Sequence, residues 1–472
     1  MATLYSNIKA IGLKRLTALL PAVYSHGFTL PALLKSMLTS TSSAYLEDDT
    51  KRISYAQLYA LSTSTTRFIN NTFNITPKSK VLLISHNSIE FVTLLFGASG
   101  TGANVFLLNP NQTPQFYQDF ISSTKPHLII CEPELKMHFI NCNIPVLCTT
   151  CDIPESKELK TTWRRKSNIT ILSSGSTGVP SQEKRKTTVL PFLSPLAEII
   201  RTLKLEENTA VLVSTPLFHG YGLAAFLLSV FLGKNIRLTR KFDADKTGKL
   251  LENGIDCWVA VPLMLQKLHN VDKLNVKIIT GGDVLPRHVV NQINTIPTIQ
   301  LYNMYGTSKT GVCTIATPDD LKKHPGTIGR MMHGIEAKIS DSGELLVKCP
   351  WAADDNKEGY NATGDIVTKN SESFYFYKSR KDDMMVIGGE NIYPLELENI
   401  LYTHPNVNWV KAGSTMGNDA VPAIFAEVVL RDTSELAKKD FNNWAIQHLP
   451  RYMMPKSVVY LEEIRATKLL VN

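Results

Sequence analysis

Between residues 81 and 131, short apolar runs alternate with segments in which apolar residues recur at helical spacing. The alternation comprises strand-like runs at 81–85, 102–108 and 127–131 and helix-like segments at 89–96 and 113–122. Parallel strands need a long crossover connection, and a helix is the usual one. The pattern therefore predicts an α/β fold, in which a mostly parallel sheet carries helices on both faces.

The pattern extends on both sides of this stretch and then changes. Helices are predicted at 30–38 and 54–69, strands at 169–172, 211–214, 235–238, 257–261 and 276–280, and shorter alternating strands at 337–340, 344–348 and 374–377. Short strands without intervening helices are typical of a β-rich subdomain. A charge cluster at 380–383 then marks a boundary, and the stretch of mixed signals after it predicts a small α+β domain.

A chain of 472 residues is too long for a single hydrophobic core. We therefore predict an N-terminal extension over residues 1–27, a large domain of parallel and mixed sheets over 28–381, and a small C-terminal domain over 382–472. The first 46 residues contain no Asp or Glu, and apolar residues from Ile8 to Leu20 recur at helical spacing. Three interpretations stay open for this segment: a helix in peripheral contact with a membrane surface, a transit-like segment, or a helix packed on its own domain.

Composition narrows the classes of partner. The net charge of +8 is mild for this length, and no basic stripe interleaved with aromatic residues is present, so a nucleic-acid partner is not expected. The seven cysteines do not form two CxxC pairs, which argues against a zinc site and favours reduced thiols in a cytoplasmic protein.

A polar loop follows the predicted strand at 169–172 directly. It consists of Ser173, Ser174, Gly175, Ser176, Thr177 and Gly178. Glycines let backbone N–H groups approach an anion, and the hydroxyl groups between them add donors. The loop is not a P-loop, because no Gly-Lys-Ser/Thr sequence closes it. We interpret it as a cradle for phosphate, with an ordinary surface turn as the alternative.

Five stretches in this order resemble the signature blocks of the adenylate-forming enzymes, which include acyl-CoA and aryl-CoA synthetases. They lie at 173–180, 216–222, 305–311, 363–365 and 379–398. The resemblance runs from about Phe28 to the C-terminus. It implies that a small carboxylic acid reacts with ATP to give an acyl-adenylate, and that the acyl group then passes to a thiol. It further implies Mg²⁺ as cofactor and, as the thiol, either CoA or the phosphopantetheine of an acyl carrier protein.

The resemblance assigns residues to the nucleotide. Asp365 resembles the family aspartate that accepts hydrogen bonds from both ribose hydroxyls, and Arg380 resembles the arginine that also holds the ribose. Tyr305 and Gly306 would flank adenine on one side, with Gly281 and Gly282 on the other. The complete implied set beyond the loop is Gly281, Gly282, Asn303, Tyr305, Gly306, Thr307, Asp365 and Arg380.

Other residues are assigned to the acid, the thiol and the chemistry. The acyl pocket would be lined by Phe218, His219, Tyr221, Gly222 and Met264. Asp382 occupies the position of the family's interdomain hinge. The pantetheine tunnel would include Gly388, Gly389 and Glu390. The implied catalytic residues are His219, Ser308, Lys309 and Lys468.

Two departures from the family pattern leave two functions open. Lys309 stands where the family has a metal-binding glutamate, and an ammonium group cannot ligate Mg²⁺. The C-terminal Gly-Lys motif is missing, and Lys468 replaces its lysine only if the alignment drops a few residues. Either Lys309 neutralises phosphate charge itself in an active ligase, or the chain is a pseudoenzyme that binds nucleotide or acyl ligand. A Rossmann-type dehydrogenase is disfavoured, because no GxGxxG follows the first strand.

Overall fold

The computed structural model describes residues 2–38, 43–154, 166–172, 190–352, 359–387, 390–416 and 422–464. Four groups of predicted site residues lie outside this part: the loop from Ser173 to Gly178, Gly388, Gly389 and Lys468.

The bounds of the regular elements follow chain order. The helices of the described residues are α1 (Ala2–Ile11), α2 (Leu13–His26), α3 (Leu30–Met37), α4 (Tyr55–Phe73), α5 (Ile89–Gly100), α6 (Pro114–Thr124), α7 (Leu190–Thr202), α8 (Gly220–Phe231), α9 (Ala244–Glu252), α10 (Pro262–Lys267), α11 (Arg287–Asn294), α12 (Pro318–Lys323), α13 (Pro394–Leu401) and α14 (Glu435–His448). The strands are β1 (Tyr45–Glu47), β2 (Arg52–Ser54), β3 (Lys80–Ile84), β4 (Asn104–Leu108), β5 (Leu128–Cys131), β6 (Val146–Cys148), β7 (Asn168–Ile171), β8 (Ala210–Val213), β9 (Asn235–Leu238), β10 (Cys257–Ala260), β11 (Val276–Gly281), β12 (Ile299–Thr307), β13 (Gly311–Ala316), β14 (Thr327–Met331), β15 (Glu336–Ile339), β16 (Glu344–Lys348), β17 (Asn361–Lys369), β18 (Tyr375–Arg380), β19 (Met385–Ile387), β20 (Glu390–Ile392), β21 (Val407–Met416), β22 (Pro422–Leu430) and β23 (Ser457–Tyr460).

The chain forms two compact units, and the first contains residues up to 280 together with 298–300. Its first sheet has the strand order β6-β5-β3-β4-β7, and all its described pairs are parallel. A second set of strands runs in the order β11-β10-β8-β9-β1-β2 and is parallel except for the β1–β2 pair. Parallel strands covered on both faces are apolar throughout, as in the fully buried run from Val81 to Ile84.

Local sequence signals explain how the helices of this unit begin and pack. Helix α4 starts with a capping box, in which Ser54 Oγ accepts the Gln57 N–H and the Gln57 side chain accepts the Ser54 N–H. Helix α5 packs closely on α4 at Gly97, where a Cβ would lie 2.2 Å from Thr65 Cγ2. Only glycine permits this separation of the two helices.

The first 26 residues of the chain form α1 and α2, which pack within the first unit. Helix α1 contacts α7, α2 contacts α3, and Arg15 forms an ion pair with Glu206. Leu20 and Tyr24 on α2 are exposed. None of the described helices is long and apolar enough to cross a membrane. Packing of the segment on its own unit is thus observed, and peripheral membrane contact stays a prediction.

The second unit contains residues 281–297 and most of the chain from 301 onward. Strands β12, β13, β14, β18, β17, β16 and β15 form an antiparallel series in that order. A separate sheet of β21, β22 and β23 carries α13 and α14 on an apolar cluster that includes Leu397, Val428 and Phe441. The predicted change from strands separated by helices to short strands without intervening helices is found among the described residues of this unit.

The predicted α/β class, with a β-rich part and a smaller α+β part, is confirmed. The sequence also predicts that Tyr305 and Gly306 follow the end of a strand, and this local prediction was wrong. Both residues lie inside β12, which continues to Thr307 because it pairs with β13 across a bulge at this point. The domain boundaries at 27 and 381 stay a prediction.

Candidate active site

Three predicted nucleotide residues meet at one carboxylate in the second unit. Tyr305 donates its hydroxyl to Asp365 Oδ2 at 2.6 Å, and Arg380 Nη1 lies 2.8 Å from Asp365 Oδ1. Asp365 is only 4% exposed, whereas the Arg380 side chain is 45% exposed. The arginine therefore connects a buried carboxylate with solvent, where a ligand can reach it.

The pairing of β17 with β18 produces this arrangement. Asp365 and Arg380 are register partners across the two strands, so their side chains are neighbours on one face of the sheet. The preceding Gly364 has φ +74, and a Cβ there would lie 2.6 Å from Arg380 Nη2. A side chain at 364 would thus be strained and would displace the guanidinium group. The Thr-Gly-Asp sequence is explained by this geometry.

Burial and hydrogen bonding set the protonation of the three groups. Burial raises the pKa of Asp365, although Tyr305 and Arg380 oppose it. Burial and the neighbouring carboxylate raise the pKa of Tyr305, so its hydroxyl stays a donor. Burial lowers the pKa of Arg380, but the attraction of Asp365 outweighs burial and the net direction is upward. The site thus pairs a fixed cation with a carboxylate that has further lone pairs for hydroxyl donors.

At two of the predicted adenine-flanking glycines, the surrounding backbone leaves no room for a side chain. A Cβ at Gly281 would lie 2.7 Å from Met304 O, and one at Gly306 would lie 2.1 Å from Gly311 O. Neither position accepts a side chain, whatever ligand binds there. Gly282, with φ +82, is exposed, and Asn303 is buried within β12. The roles of the three glycines toward adenine and of Asn303 toward the nucleotide stay predictions.

The turn between β12 and β13 carries Thr307, Ser308 and Lys309. Thr307 Oγ1 accepts the Thr310 N–H at 3.1 Å, and the two threonine hydroxyls lie 2.9 Å apart, so the turn is held from within. Ser308 and Lys309 are exposed. Mg²⁺ takes oxygen ligands, above all carboxylates, and within the described ranges no group of three or more His, Cys, Asp or Glu residues could hold a metal ion. The requirement for Mg²⁺ stays a prediction.

The predicted acyl-pocket residues lie in the first unit around the start of α8. His219 is the N-cap residue of this helix, and its ring centroid lies 4.8 Å from that of Phe218. Its Nε2 is buried and has no hydrogen-bond partner among the described residues. Burial lowers the pKa of His219 to about 4, so the imidazole is neutral at physiological pH. A neutral ring next to Phe218 offers a ligand one polar atom in an apolar setting.

The other acyl-pocket residues have structural contacts of their own. Tyr221 donates its hydroxyl to Ile279 O at 2.9 Å, which ties α8 to β11. A Cβ at Gly222 would lie 2.3 Å from Pro216 O, so the helix packs directly on the backbone of the preceding loop. Met264 is fully buried at the start of α10. Phe218 and His219 are in contact with each other, and the pocket as a whole stays a prediction.

The predicted hinge and tunnel residues are partly described. Asp382 is exposed in the turn that follows β18, which suits a residue that changes backbone conformation. Glu390 begins β20, which pairs with β19 in a short hairpin. Their roles in domain motion and pantetheine binding remain predictions.

Two polar residues escaped prediction from the sequence. Asn87, in the turn after β3, binds the backbone that leads to Phe218 and His219. Glu132, directly after β5, accepts hydrogen bonds from Ser85 and His86. The available signal was their position: polar residues at the carboxyl ends of buried parallel strands are where open α/β sheets bind ligands.

Comparisons with known proteins identify the family of the chain. The model of the AMP-binding enzyme family matches residues 37–369. The 2-succinylbenzoate–CoA ligase of Listeria monocytogenes serotype 4b (strain F2365) is 30% identical, and the match covers 82% of this chain and 86% of the relative. The 2-succinylbenzoate–CoA ligase of Bacillus mycoides (strain KBAB4) is 24% identical, and the match covers 91% of this chain and 94% of the relative.

A solved structure supports the fold. The anthranilate CoA ligase AuaEII in complex with anthranoyl-AMP superimposes with a TM-score of 0.80 at 18% identity, covering 94% of this chain and 95% of that chain. The matched family region contains the His219 loop, Tyr305 and Asp365, and it ends before Arg380. On the extent of the family match and of the relatives' coverage, the chain belongs to the AMP-binding enzyme family.

Proposed function

We propose that the protein is an AMP-forming acid–thiol ligase. In the first half-reaction, a carboxylate oxygen of the acid attacks the α-phosphorus of ATP, and the bond to the β-phosphate oxygen breaks to release pyrophosphate. In the second, the sulfur of CoA attacks the acyl carbon of the acyl-adenylate, and AMP leaves with the electrons of the acyl–oxygen bond. The thiol proton is released to solvent.

The observation that carries the proposal is the buried Asp365 with its two donors. A carboxylate held by Tyr305 and Arg380 has lone pairs left to accept two adjacent ribose hydroxyls, which is the recognition that a nucleotide sugar requires. Arg380 adds a cation beside the bound nucleotide. Relatives that cover more than four-fifths of the chain are named as CoA ligases, which supports CoA as the thiol.

The acid is proposed to have an apolar body, aromatic or aliphatic. Phe218 and Met264 are buried and apolar, and the neutral His219 ring leaves one buried nitrogen for a polar contact. The relatives named above act on 2-succinylbenzoate and anthranilate, so aryl acids come first among candidates. Phosphopantetheine on a carrier protein is the second candidate thiol.

The phosphate groups are assigned to residues whose roles await experiment. The loop from Ser173 to Gly178 would donate to the phosphate oxygens, and such donors stabilise the charge that develops on the leaving pyrophosphate. Lys309 would add positive charge from its exposed turn. Lys468 would contact the carboxylate and the α-phosphate.

Pyrophosphate exchange across a panel of aryl, short-chain and long-chain acids tests the first half-reaction. We expect exchange with at least one acid, loss of exchange in Asp365→Ala, and acid-dependent thioester formation when CoA is added. The same mixtures with a pantetheine-loaded carrier protein distinguish the two thiols. The alternative of a pseudoenzyme is not supported by the comparisons. It would be favoured by measurable ATP binding without exchange for any acid, and Lys309→Glu would then test whether this substitution is the cause.

A further inference from the structure

Asn87 joins the first sheet of the first unit to the backbone that leads into the acyl-site loop. Its Nδ2 donates to Thr215 O at 3.0 Å, and its Oδ1 accepts the Leu217 N–H at 2.8 Å. Both polar ends of one amide side chain are thus bonded to backbone groups two residues apart. The residues that follow directly are Phe218 and His219.

The side chain of Asn87 is held on a rigid support. It lies between the end of β3 and the start of α5, and Ser88 caps that helix by accepting the Phe91 N–H. Asn87 is 4% exposed, so its rotamer is fixed by packing. On the other side of the loop, Trp258 Nε1 donates to Ser214 Oγ at 2.9 Å. The segment 214–217 is therefore bonded on both sides by buried side chains.

The start of α8 depends on the same segment. The His219 N–H donates to Pro216 O at 3.2 Å, and Gly222 packs directly against that oxygen. A shift of residues 215–217 would therefore move His219 together with the first turn of α8. Because displacements of about 1 Å at a binding site can lower turnover ~100-fold, the position of this segment bears directly on how an acid is oriented.

We infer that Asn87 is a positioning residue for the acyl site. Its two hydrogen bonds to Thr215 and Leu217 hold the loop that carries His219 in a fixed position relative to β3. The inference rests on the proposed function for the identity of the ligand, namely the acid. It assigns Asn87 its main effect on the acid, because its two hydrogen bonds reach the acyl-site loop, whereas the candidate ribose residues Tyr305, Asp365 and Arg380 belong to the other unit.

Two variants separate the bonds from the packing. Asn87→Ala removes both hydrogen bonds. Asn87→Asp is nearly isosteric, keeps the acceptor for the Leu217 N–H, and replaces the donor to Thr215 O by an oxygen that repels it. Asn109→Ala is the matched control. Asn109 follows the neighbouring strand β4 and is 8% exposed, and its Oδ1 accepts the N–H of Asn111, two residues away, at 2.9 Å.

Steady-state kinetics with the acid and with ATP varied in turn give the first readout. We expect kcat/KM for the acid to fall at least tenfold in Asn87→Ala and Asn87→Asp, the KM for ATP to change less than twofold, and the ratio of kcat/KM between two acids to change. Asn109→Ala should leave that ratio as in the unaltered protein. Equal losses for acid and ATP, or an unchanged acid ratio in both Asn87 variants, would overturn the inference.

Hydrogen–deuterium exchange gives a readout that does not depend on activity. The Leu217 amide should exchange at least tenfold faster in Asn87→Ala than in the unaltered protein, and should stay protected in Asn87→Asp and Asn109→Ala. If no acid is turned over, the proposed function fails while the exchange result still decides whether Asn87 holds the loop. Unchanged protection of the Leu217 amide in Asn87→Ala would refute the inference that Asn87 holds the loop. If that variant does not fold, acid kinetics in Asn87→Asp equal to those of the unaltered protein would refute it.

Discussion

Replacing Glu132 by Gln tests how the strand ends of the first unit are tied together. Glu132 Oε1 accepts Ser85 Oγ–H at 2.9 Å and the His86 N–H at 2.8 Å, and Oε2 lies 2.7 Å from Arg240 Nη2. These partners follow β3 and β9, so one carboxylate links both sets of strands. Glutamine keeps the size of the side chain but removes its charge and turns an NH₂ group toward one of the donors.

The magnitude follows from the pKa of the carboxyl group. Burial raises the pKa of Glu132, but hydrogen bonds from His86 and Ser85 outweigh burial and lower it from 4.5 to about 2. One pKa unit corresponds to about 1.4 kcal/mol, so the ionised group contributes about 3 kcal/mol to folding at neutral pH. Because the folded pKa is the lower one, the contribution is present above about pH 5 and is lost as the pH falls toward 2.

Urea unfolding followed by tryptophan fluorescence measures the effect. At pH 7 we expect Glu132→Gln to lower the free energy of unfolding by about 3 kcal/mol, and at pH 3 by about half of that. Glu206→Gln is the control, because the Arg15–Glu206 pair is half exposed and such pairs contribute about 0–1 kcal/mol. Equal losses in the two variants at pH 7, or a Glu132→Gln loss that does not shrink with acid, would refute the reasoning.

Three further predictions concern the candidate site. Gly364→Ala should raise the Kd for AMP about tenfold in calorimetry, because its Cβ would meet Arg380 Nη2 at 2.6 Å; Gly334→Ala, at φ +83 with open space around its Cβ, carries the backbone strain alone. Tyr305→Phe should lower the free energy of unfolding by about 1–3 kcal/mol, because a hydrogen bond to a buried carboxylate is lost. His219→Gln should gain stability relative to the unaltered protein as the pH falls from 6.5 toward 4, because burial lowers the pKa of His219 to about 4 and its protonation opposes folding.

Matched outcomes decide each of these three predictions. The Gly364 argument fails if Gly334→Ala weakens AMP binding equally. For Tyr305, the comparison is Tyr360→Phe, whose hydroxyl reaches Glu336 at the surface at 3.2 Å and should contribute little. For His219, the prediction is contradicted if the difference in the free energy of unfolding between His219→Gln and the unaltered protein is the same at pH 7 and at pH 4.

Much of the fold followed from local pattern. Short apolar runs such as the one from Val81 to Ile84 are typical of buried strands, and Ser54 with Gln57 three residues later predicts the start of α4. Ordered blocks around Asp365 and Arg380 predicted a nucleotide site through their resemblance to the adenylate-forming enzymes. Each of these signals involves residues that are close together in the sequence, so it can be recognised without the tertiary structure.

The contacts that complete the site depend on tertiary structure. Tyr305 reaches Asp365 across 60 positions, and Asn87 reaches Thr215 across 128. Tyr305 lies on β12 and Asp365 on β17, which are not hydrogen-bonded neighbours, so the fold of the second unit brings this pair together. The fold of the first unit brings Asn87 to Thr215, and neither contact is expressed in local periodicity. The amino-acid sequence by itself determined the element types, the family and the candidate residues. The tertiary structure alone decided that Tyr305 bonds Asp365, that Gly306 sits inside a strand, and that Asn87 binds the acyl-site loop, because hydrogen bonds between distant segments form only when packing brings their donors and acceptors within about 3 Å.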